Sequence, residues 1–142
     1  MYFEDIELNH VIDIEPTVID EQEMLDFAKR YDNIPLHTDE EYCKGTRFGH
    51  IIAPGVMAFM AVWANYLKVD LCGEELVAGK STGMEWHKPV YANDVLYSQA
   101  VVSSKTPGKR TGIVELTFTI KNQNGEHVMT NLTEMVVKRK EA

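Results

Sequence analysis

An acid and an imidazole lie five residues apart in the segment that runs from residue 30 to residue 55. Asp32 and His37 flank a turn that Pro35 restricts. A carboxylate and a histidine, whose ordinary pKa is about 6.5, can take a proton from water and return one to a neighbouring atom. The pair therefore suggests general acid–base chemistry. Spacing alone favours a plainer explanation, in which Asp32 ends a helix and His37 precedes the next one.

The start of a predicted helix provides a third part of such a site. Pro54 and Gly55 precede an apolar run from 56 to 67, and the first backbone N–H groups of a helix have no partner within it. Because proline has no N–H, the available donors belong to Gly55 and Val56. Such donors stabilise developing negative charge. A carboxylate, an imidazole and these amides suit the addition of water to a double bond beside a thioester, because charge then develops on the thioester oxygen.

The run from 56 to 67 is apolar nearly all the way round, and only Asn65 interrupts it. A helix that is apolar on every side must be buried on every side. At about twelve residues it is too short to span a bilayer, which requires about 20. The run therefore predicts a central helix that the rest of the protein wraps.

The second half of the chain predicts the strands that wrap it. Val114, Leu116, Phe118 and Ile120 alternate with polar residues, which gives the period of two expected of a strand. Asn124-Gly125 and Pro107-Gly108 are turn signals. The predicted strands are 77–86, 95–105, 110–121 and 126–139.

The first half predicts a weak strand at 10–18 and two capped helices. Asp20 and Glu23 have the spacing of a capping box, as do Thr38 and Glu41, which would open a helix over 39–44. The whole chain, 1–142, is thus predicted to be one α+β domain with an antiparallel sheet curved around a central helix. Exposed sheet edges are usually paired or covered, so self-association is expected.

Composition narrows the possible partners. The chain has 142 residues and a formal net charge of −8, and such a surface repels the phosphates of nucleic acids. It has no apolar run long enough to cross a membrane, and no secretory leader is expected. Cys43 and Cys72 lack metal-ligand spacing and are expected to be free thiols in the cytoplasm. No metal site is predicted.

Three blocks resemble one known family. Residues 31–41 (YDNIPLHTDEE) look like the signature of MaoC-like dehydratases and (R)-specific enoyl-CoA hydratases. The stretches 47–49 and 52–55 are similar to the loop before that family's central helix. Residues 86–96 resemble its later block, and 112–137 its last hairpin. The blocks occur in the family's order and cover roughly residues 10 to 140.

The resemblance implies a hot-dog fold and a hydratase or dehydratase acting on an enoyl or 3-hydroxyacyl thioester. Asp32 and His37 would be the catalytic pair, and the backbone of Gly55 the oxyanion donor. Coenzyme A would belong to the substrate, with no other cofactor, and acyl carrier protein is the alternative carrier. The family's sites lie at a dimer interface, so a homodimer or higher oligomer is expected. Residues assigned to substrate contact are Val56, Met57, Met60 and Trp86, with Arg47 and Lys88 for coenzyme A phosphates.

Two positions depart from the family pattern, and two other functions stay open. Ile34 stands where the family often has Asn or Gln, and Asn93 stands where it has Gly. A hot-dog thioesterase is one alternative, although the run 55–67 contains no Asp, Glu, His or Ser. A non-catalytic thioester-binding module is the other, and the loss of a polar side chain at Ile34 is its best support.

Overall fold

The computed structural model describes residues 1–141. Short 3-10 turns lie at Phe3–Asp5 and Gly73–Glu75. Among residues 1–141, no helix combines the length and the apolarity that crossing a bilayer requires. The main elements are β1 (Val11–Val18), α1 (Glu21–Tyr31), α2 (Pro35–Thr38), α3 (Glu40–Lys44), α4 (Gly55–Tyr66), β2 (Leu76–Trp86), β3 (Val95–Pro107), β4 (Thr111–Lys121) and β5 (His127–Lys138).

The five strands form one sheet in the order β1-β3-β4-β5-β2, and every neighbouring pair is antiparallel. The predicted α+β class and the antiparallel sheet are therefore confirmed. β3, β4 and β5 follow one another through hairpins, as the turn signals predict. Gly125 adopts a φ of +76° in the last hairpin, and Asn93 a φ of +67° before β3. Asn93 thus takes the left-handed conformation that glycine would otherwise provide.

The two capping predictions have different outcomes. The carboxylate of Asp20 accepts the backbone N–H of Glu23, so the start of α1 is confirmed. The second capping box is wrong: Asp39, not Thr38, caps α3 by accepting the N–H of Tyr42. The hydroxyl of Thr38 instead donates to the carbonyl of Ile34 at 3.0 Å. An extra helical turn, α2, forms before α3 because Pro35 has the backbone angle of a first helical residue.

Helix α4 packs against the inner face of the sheet. Its buried residues form a core with the inward side chains of β3, β4 and β5. Phe118 lies at the centre of this contact and is fully buried. Its ring centroid is 5.3 Å from Phe59, 5.9 Å from Trp63 and 5.5 Å from Tyr66. These distances are in the range at which aromatic pairs attract beyond simple burial.

One face of α4 stays open, so the prediction that the helix is buried on every side is wrong for the single chain. Val56, Met60 and Leu67 are 44%, 49% and 46% exposed, and Ala64 between them is exposed too. They recur at the spacing of one helix face. The sheet of one chain covers α4 on one side only.

Replacing Phe118 by alanine is expected to cost about 3–5 kcal/mol of the free energy of unfolding, because it removes a buried ring and leaves a cavity among three aromatic neighbours. Tyr97→Ala on β3 is the matched control, because its ring is half-exposed and its loss should change stability by about 0.5 kcal/mol or less. Urea unfolding at one protein concentration measures both. Equal losses from the two variants would contradict this account of the core.

Candidate active site

A cavity of about 370 Å³ lies beside the start of α4. The residues around it come from three stretches of the chain: the end of α1 with α2, the loop into α4, and the end of β2 with the segment after it. The cavity is lined by Asp32, His37, Arg47, Phe48, Ile52, Ala53, Gly55, Val56, Trp86, His87, Lys88, Pro89 and Val90.

The acid and the imidazole face each other in this cavity. His37 Nε2 lies 3.3 Å from Asp32 Oδ2. His37 is buried, whereas the side chain of Asp32 keeps 45% of its surface exposed. A carboxylate open to the cavity can contact a water molecule, and the buried imidazole beside it is held in place. The two groups that the sequence singles out are therefore brought together.

The other ring nitrogen of His37 determines which tautomer it adopts. Nδ1 lies 2.7 Å from the carbonyl oxygen of Ile52, and a carbonyl can only accept a hydrogen bond. Nδ1 therefore carries the proton, and in the neutral ring Nε2 is left with a lone pair facing Asp32. A hydrogen bond between Nε2 and the carboxylate therefore forms only when the pair holds one further proton. Asp32 and His37 together are thus arranged to take up and return a single proton.

Backbone geometry around Pro35 sets this arrangement. Asp32 ends α1, and its backbone N–H donates to Ala28. Ile34 is extended, as the residue before a proline is expected to be, and its carbonyl accepts the N–H of His37 at 3.0 Å. Any residue type at position 34 offers that carbonyl. The departure at Ile34 therefore leaves the backbone support of His37 intact.

The loop that carries Ile52 is fixed from several sides. The N–H of Ile52 donates to Leu36, and that of Ala53 donates to Val90 at 2.7 Å. The hydroxyl of Tyr91 donates to the carbonyl of Phe48 at 2.9 Å. These bonds hold the Ile52 carbonyl in the position where it meets the imidazole.

Glu40 fixes the preceding part of the same loop. Its carboxylate accepts His50 Nδ1 at 2.8 Å and the backbone N–H of Ile51 at 3.2 Å. The hydrogen bond from His50, followed by that from Ile51, lowers the pKa of Glu40 below its ordinary value. An ionised Glu40, at the start of α3, therefore anchors this part of the loop.

The first turn of α4 offers unused donors to the cavity. No side chain caps this helix, and its N-cap is Pro54. The N–H groups of Gly55 and Val56 precede the first intrahelical bond, which the N–H of Ala58 makes to Pro54. An oxygen atom in the cavity that carries partial negative charge could accept from this tip.

Basic groups lie around the opening of the cavity. The guanidinium of Arg47 lies over the ring of Phe48, 4.9 Å from its centroid. Lys88 Nζ contacts Glu126 at 2.6 Å, and His87 bonds Thr130 at 3.0 Å. Arg47 and Lys88 thus place two basic side chains at the border of the cavity, one of them paired with Glu126.

The structure brings most of the site residues predicted from the sequence to the cavity, but not all of them. It brings to the cavity Asp32, His37, Gly55, Val56, Trp86, Arg47 and Lys88. It does not bring Met57 or Met60 there: Met57 is buried in the core, and Met60 lies on the open face of α4. Within residues 1–141, no group of three or more His, Cys, Asp or Glu side chains is arranged to hold a metal ion.

Two residues that support the site, Ile52 and Glu40, were not predicted from the sequence. Ile52 acts through its backbone carbonyl, which every residue has, so its type carries no signal. Glu40 is ten residues from His50, and only the folded loop shows that the two meet. Their signal is geometric, and no spacing rule could have found it.

Residues 6–124 match the model of the MaoC like domain family. The chain belongs to this family. A MaoC-like dehydratase from Rhodospirillum rubrum is 25% identical, with a TM-score of 0.88 over 100% of this chain and 99% of that one. A monoamine oxidase regulatory protein from Archaeoglobus fulgidus is 28% identical, with a TM-score of 0.92 over 99% and 96%. An (R)-hydratase from Pseudomonas aeruginosa shares the fold at 22% identity, with a TM-score of 0.79 over 98% and 86%.

The family match confirms the resemblance inferred from the three sequence blocks. The MaoC-like protein has the predicted hot-dog fold, in which the sheet packs against α4. Membership in this family indicates a hydratase or dehydratase.

Replacing Glu40 by alanine is expected to loosen residues 46–52, because Ile51 and His50 lose their acceptor. Amide exchange at Ile51 should accelerate by about tenfold or more. Glu41→Ala is the matched control on the same helix, since among the described residues the Glu41 carboxylate pairs only with Lys44. Hydrogen exchange followed by mass spectrometry or NMR measures both.

The pH dependence has a defined sign. Because the pKa of Glu40 is lowered on folding, its contribution is present above the ordinary pKa of about 4.5 and is lost as the pH falls through the lowered value. In the native protein, exchange at Ile51, corrected for its intrinsic rate, should therefore rise at acid pH. In Glu40→Ala this acid-dependent rise should be absent, and its persistence would contradict the assignment.

Proposed function

We propose that this MaoC-like protein adds water to, or removes it from, the 2,3-position of an acyl thioester. One observation carries the proposal: Asp32 and His37 meet at 3.3 Å in a cavity that also contains the unpaired start of α4. The acid–base pair provides the proton transfers, and the helix tip provides donors for the thioester oxygen. Both parts are needed for this reaction, and both border the same space.

In the hydration direction, a water oxygen forms a bond to carbon 3 of the enoyl thioester while its proton passes to the Asp32–His37 pair. The electrons of the double bond move toward the thioester oxygen, where the N–H of Gly55 stabilises the charge. The pair then returns a proton to carbon 2, and the thioester carbonyl is restored. The pair ends in its starting protonation state. Dehydration follows the same steps in reverse.

Coenzyme A is the carrier that the cavity border supports best. Arg47 and Lys88 are basic residues beside the cavity in a protein of net charge −8, and they could contact the phosphates of a coenzyme A thioester. Lys88 would have to exchange its contact with Glu126 for a phosphate. An acyl carrier protein would present a phosphate through its pantetheine arm and is the alternative.

A homodimer is the assembly that we infer from the edges of the sheet. Both edge strands contain two charged residues, but β1 also contains Pro16, which discourages strand pairing. The other edge strand, β2, contains no proline, and nearly all of its residues are exposed. A second copy pairing along β2 would cover this edge.

A reducing compartment such as the cytoplasm agrees with the state of the cysteines. Cys43 and Cys72 are both buried free thiols. Burial is the main cause that raises the pKa of both thiols, to about 11 for Cys72. Raised thiol pKa values make the reactive thiolate rare. Neither residue has a part in the proposed reaction.

Asp32→Asn and His37→Ala are each expected to lower kcat for hydration by about 10²–10⁴-fold, the usual contribution of acid–base catalysis. The assay uses trans-2-enoyl-CoA thioesters of several chain lengths and follows loss of the conjugated-enoyl absorbance. Asp26→Asn on α1 and His10→Ala are matched controls, because both residues are exposed and neither lines the cavity. Wild-type rates in either site variant would remove the pair from the mechanism, and release of free thiol without hydration would identify a thioesterase.

Val77→Asp on β2 is expected to weaken self-association about tenfold or more, because it places a charged side chain on the edge that the second copy would cover. Val11→Asp on β1 is the matched control, since Val77 and Val11 are 51% and 48% exposed. Sedimentation velocity over a concentration series measures both. A wild-type monomer, or equal weakening by the two variants, would contradict pairing along β2.

A further inference from the structure

The indole of Trp86 lies directly against the start of α4. Trp86 is the last residue of β2 and pairs with Met129 of β5. A Cβ atom built on Gly55 would lie 2.0 Å from Trp86 Nε1 and 2.2 Å from Cε2. The five-membered ring of the indole therefore covers Gly55, and Nε1 is the indole atom nearest to that position. The same side chain borders the cavity with Asp32 and His37.

This contact explains why position 55 is glycine. Any larger residue would overlap the indole, since no real Cβ approaches another atom at 2.0 Å. Gly55 has no positive φ, so backbone conformation does not require glycine here. A larger residue at position 55 would instead force Trp86 to move away from the helix tip.

Three hydrogen-bond donors lie near the start of α4, and none of them has an acceptor there. The N–H groups of Gly55 and Val56 have no intrahelical partner. The indole nitrogen of Trp86 can donate a hydrogen bond but cannot accept one. Pro54, which precedes them, has no N–H. No acceptor within residues 1–141 takes the indole hydrogen. Donors from two separate elements, β2 and α4, thus lie close together at the border of the cavity.

We propose that the Trp86 indole N–H is a second hydrogen-bond donor to the thioester carbonyl oxygen, acting beside the amide of Gly55. This inference rests on the proposed function, because it assigns Trp86 to the same oxygen on which charge develops during hydration. A donor from a strand and a donor from a helix approach the oxygen from different directions. Two such bonds hold the carbonyl in one orientation and stabilise the charge more than one bond can.

The proposal gives Trp86 a role that an aromatic ring alone could not fill. The sequence alone equally allows Trp86 to be a packing residue. A phenylalanine would keep the ring at the helix tip but would lack the N–H. The two roles therefore separate in experiment.

Trp86→Phe is expected to lower kcat by about 10–100-fold, near the lower limit for loss of one oxyanion donor, while folding is retained. A second variant replaces Trp86 by 3-benzothienylalanine, in which sulfur takes the place of the N–H with nearly the same ring shape. It should show the same loss although its packing is intact. Trp63→Phe is the matched control, since Trp63 packs on Phe118 and does not line the cavity. A kcat within twofold of wild type in the benzothienyl variant would overturn the proposal.

Two measurements without turnover distinguish a donor from a packing residue. In the Asp32→Asn background, a bound trans-2-enoyl-CoA with a ¹³C-labelled thioester carbonyl should show a carbonyl stretch at lower frequency than free in solution. Adding Trp86→Phe should remove part of that shift. An S-alkyl-CoA thioether, which has no carbonyl, should bind Trp86→Phe and wild type with equal Kd. If Trp86→Phe leaves the carbonyl stretch unchanged, or weakens binding of the thioether as much as binding of the thioester, then Trp86 has a packing role.

Failure of this inference can be told apart from failure of the proposed function. If the wild-type protein hydrates no enoyl thioester of any chain length, the function itself is wrong. If the wild type is active, Asp32→Asn is inactive and the Trp86 variants match the wild type, then only the role of Trp86 is wrong.

Discussion

The packing of α4 on the inner face of the sheet is the contact on which the rest of the molecule depends. Phe118 lies fully buried at the centre of that contact and touches three aromatic rings of the helix. Because this contact fixes the helix axis against the strands, it also fixes where the first turn of α4 ends up. That turn lies beside the end of β2, so Trp86 meets Gly55. An apolar contact made for stability thereby positions polar donors for chemistry.

Backbone groups position the acid–base pair in a similar way. The carbonyl of Ile52 fixes the tautomer of His37, and that carbonyl is held by bonds from its own loop to Leu36 and Val90. The ring therefore presents its second nitrogen to Asp32 without any side chain dedicated to that purpose. A site built from main-chain groups tolerates changes of residue type, which is why isoleucine at position 34 leaves it in place.

The fold was largely predictable because its elements carry strong local patterns. Alternation along β4 and the caps of α1 depend on neighbours in sequence, so they can be read from it. The cap of α3 could not be predicted in this way, because Thr38 and Asp39 can both cap a helix. The extra turn of α2 determined which of the two is used. The burial of α4 was overestimated because periodicity shows that a face is apolar but not which molecule covers it.

The sequence by itself determined that an aspartate and a histidine flank a proline turn, that a helix without a side-chain cap begins at Gly55, and that the chain belongs with MaoC-like proteins. These follow from residue types at short spacing. Only the tertiary structure decided that Ile52 orients His37, that Glu40 holds the loop before it, and that Trp86 covers Gly55. Those contacts join residues 10 to 31 positions apart, and no local preference of the chain specifies which distant groups will meet.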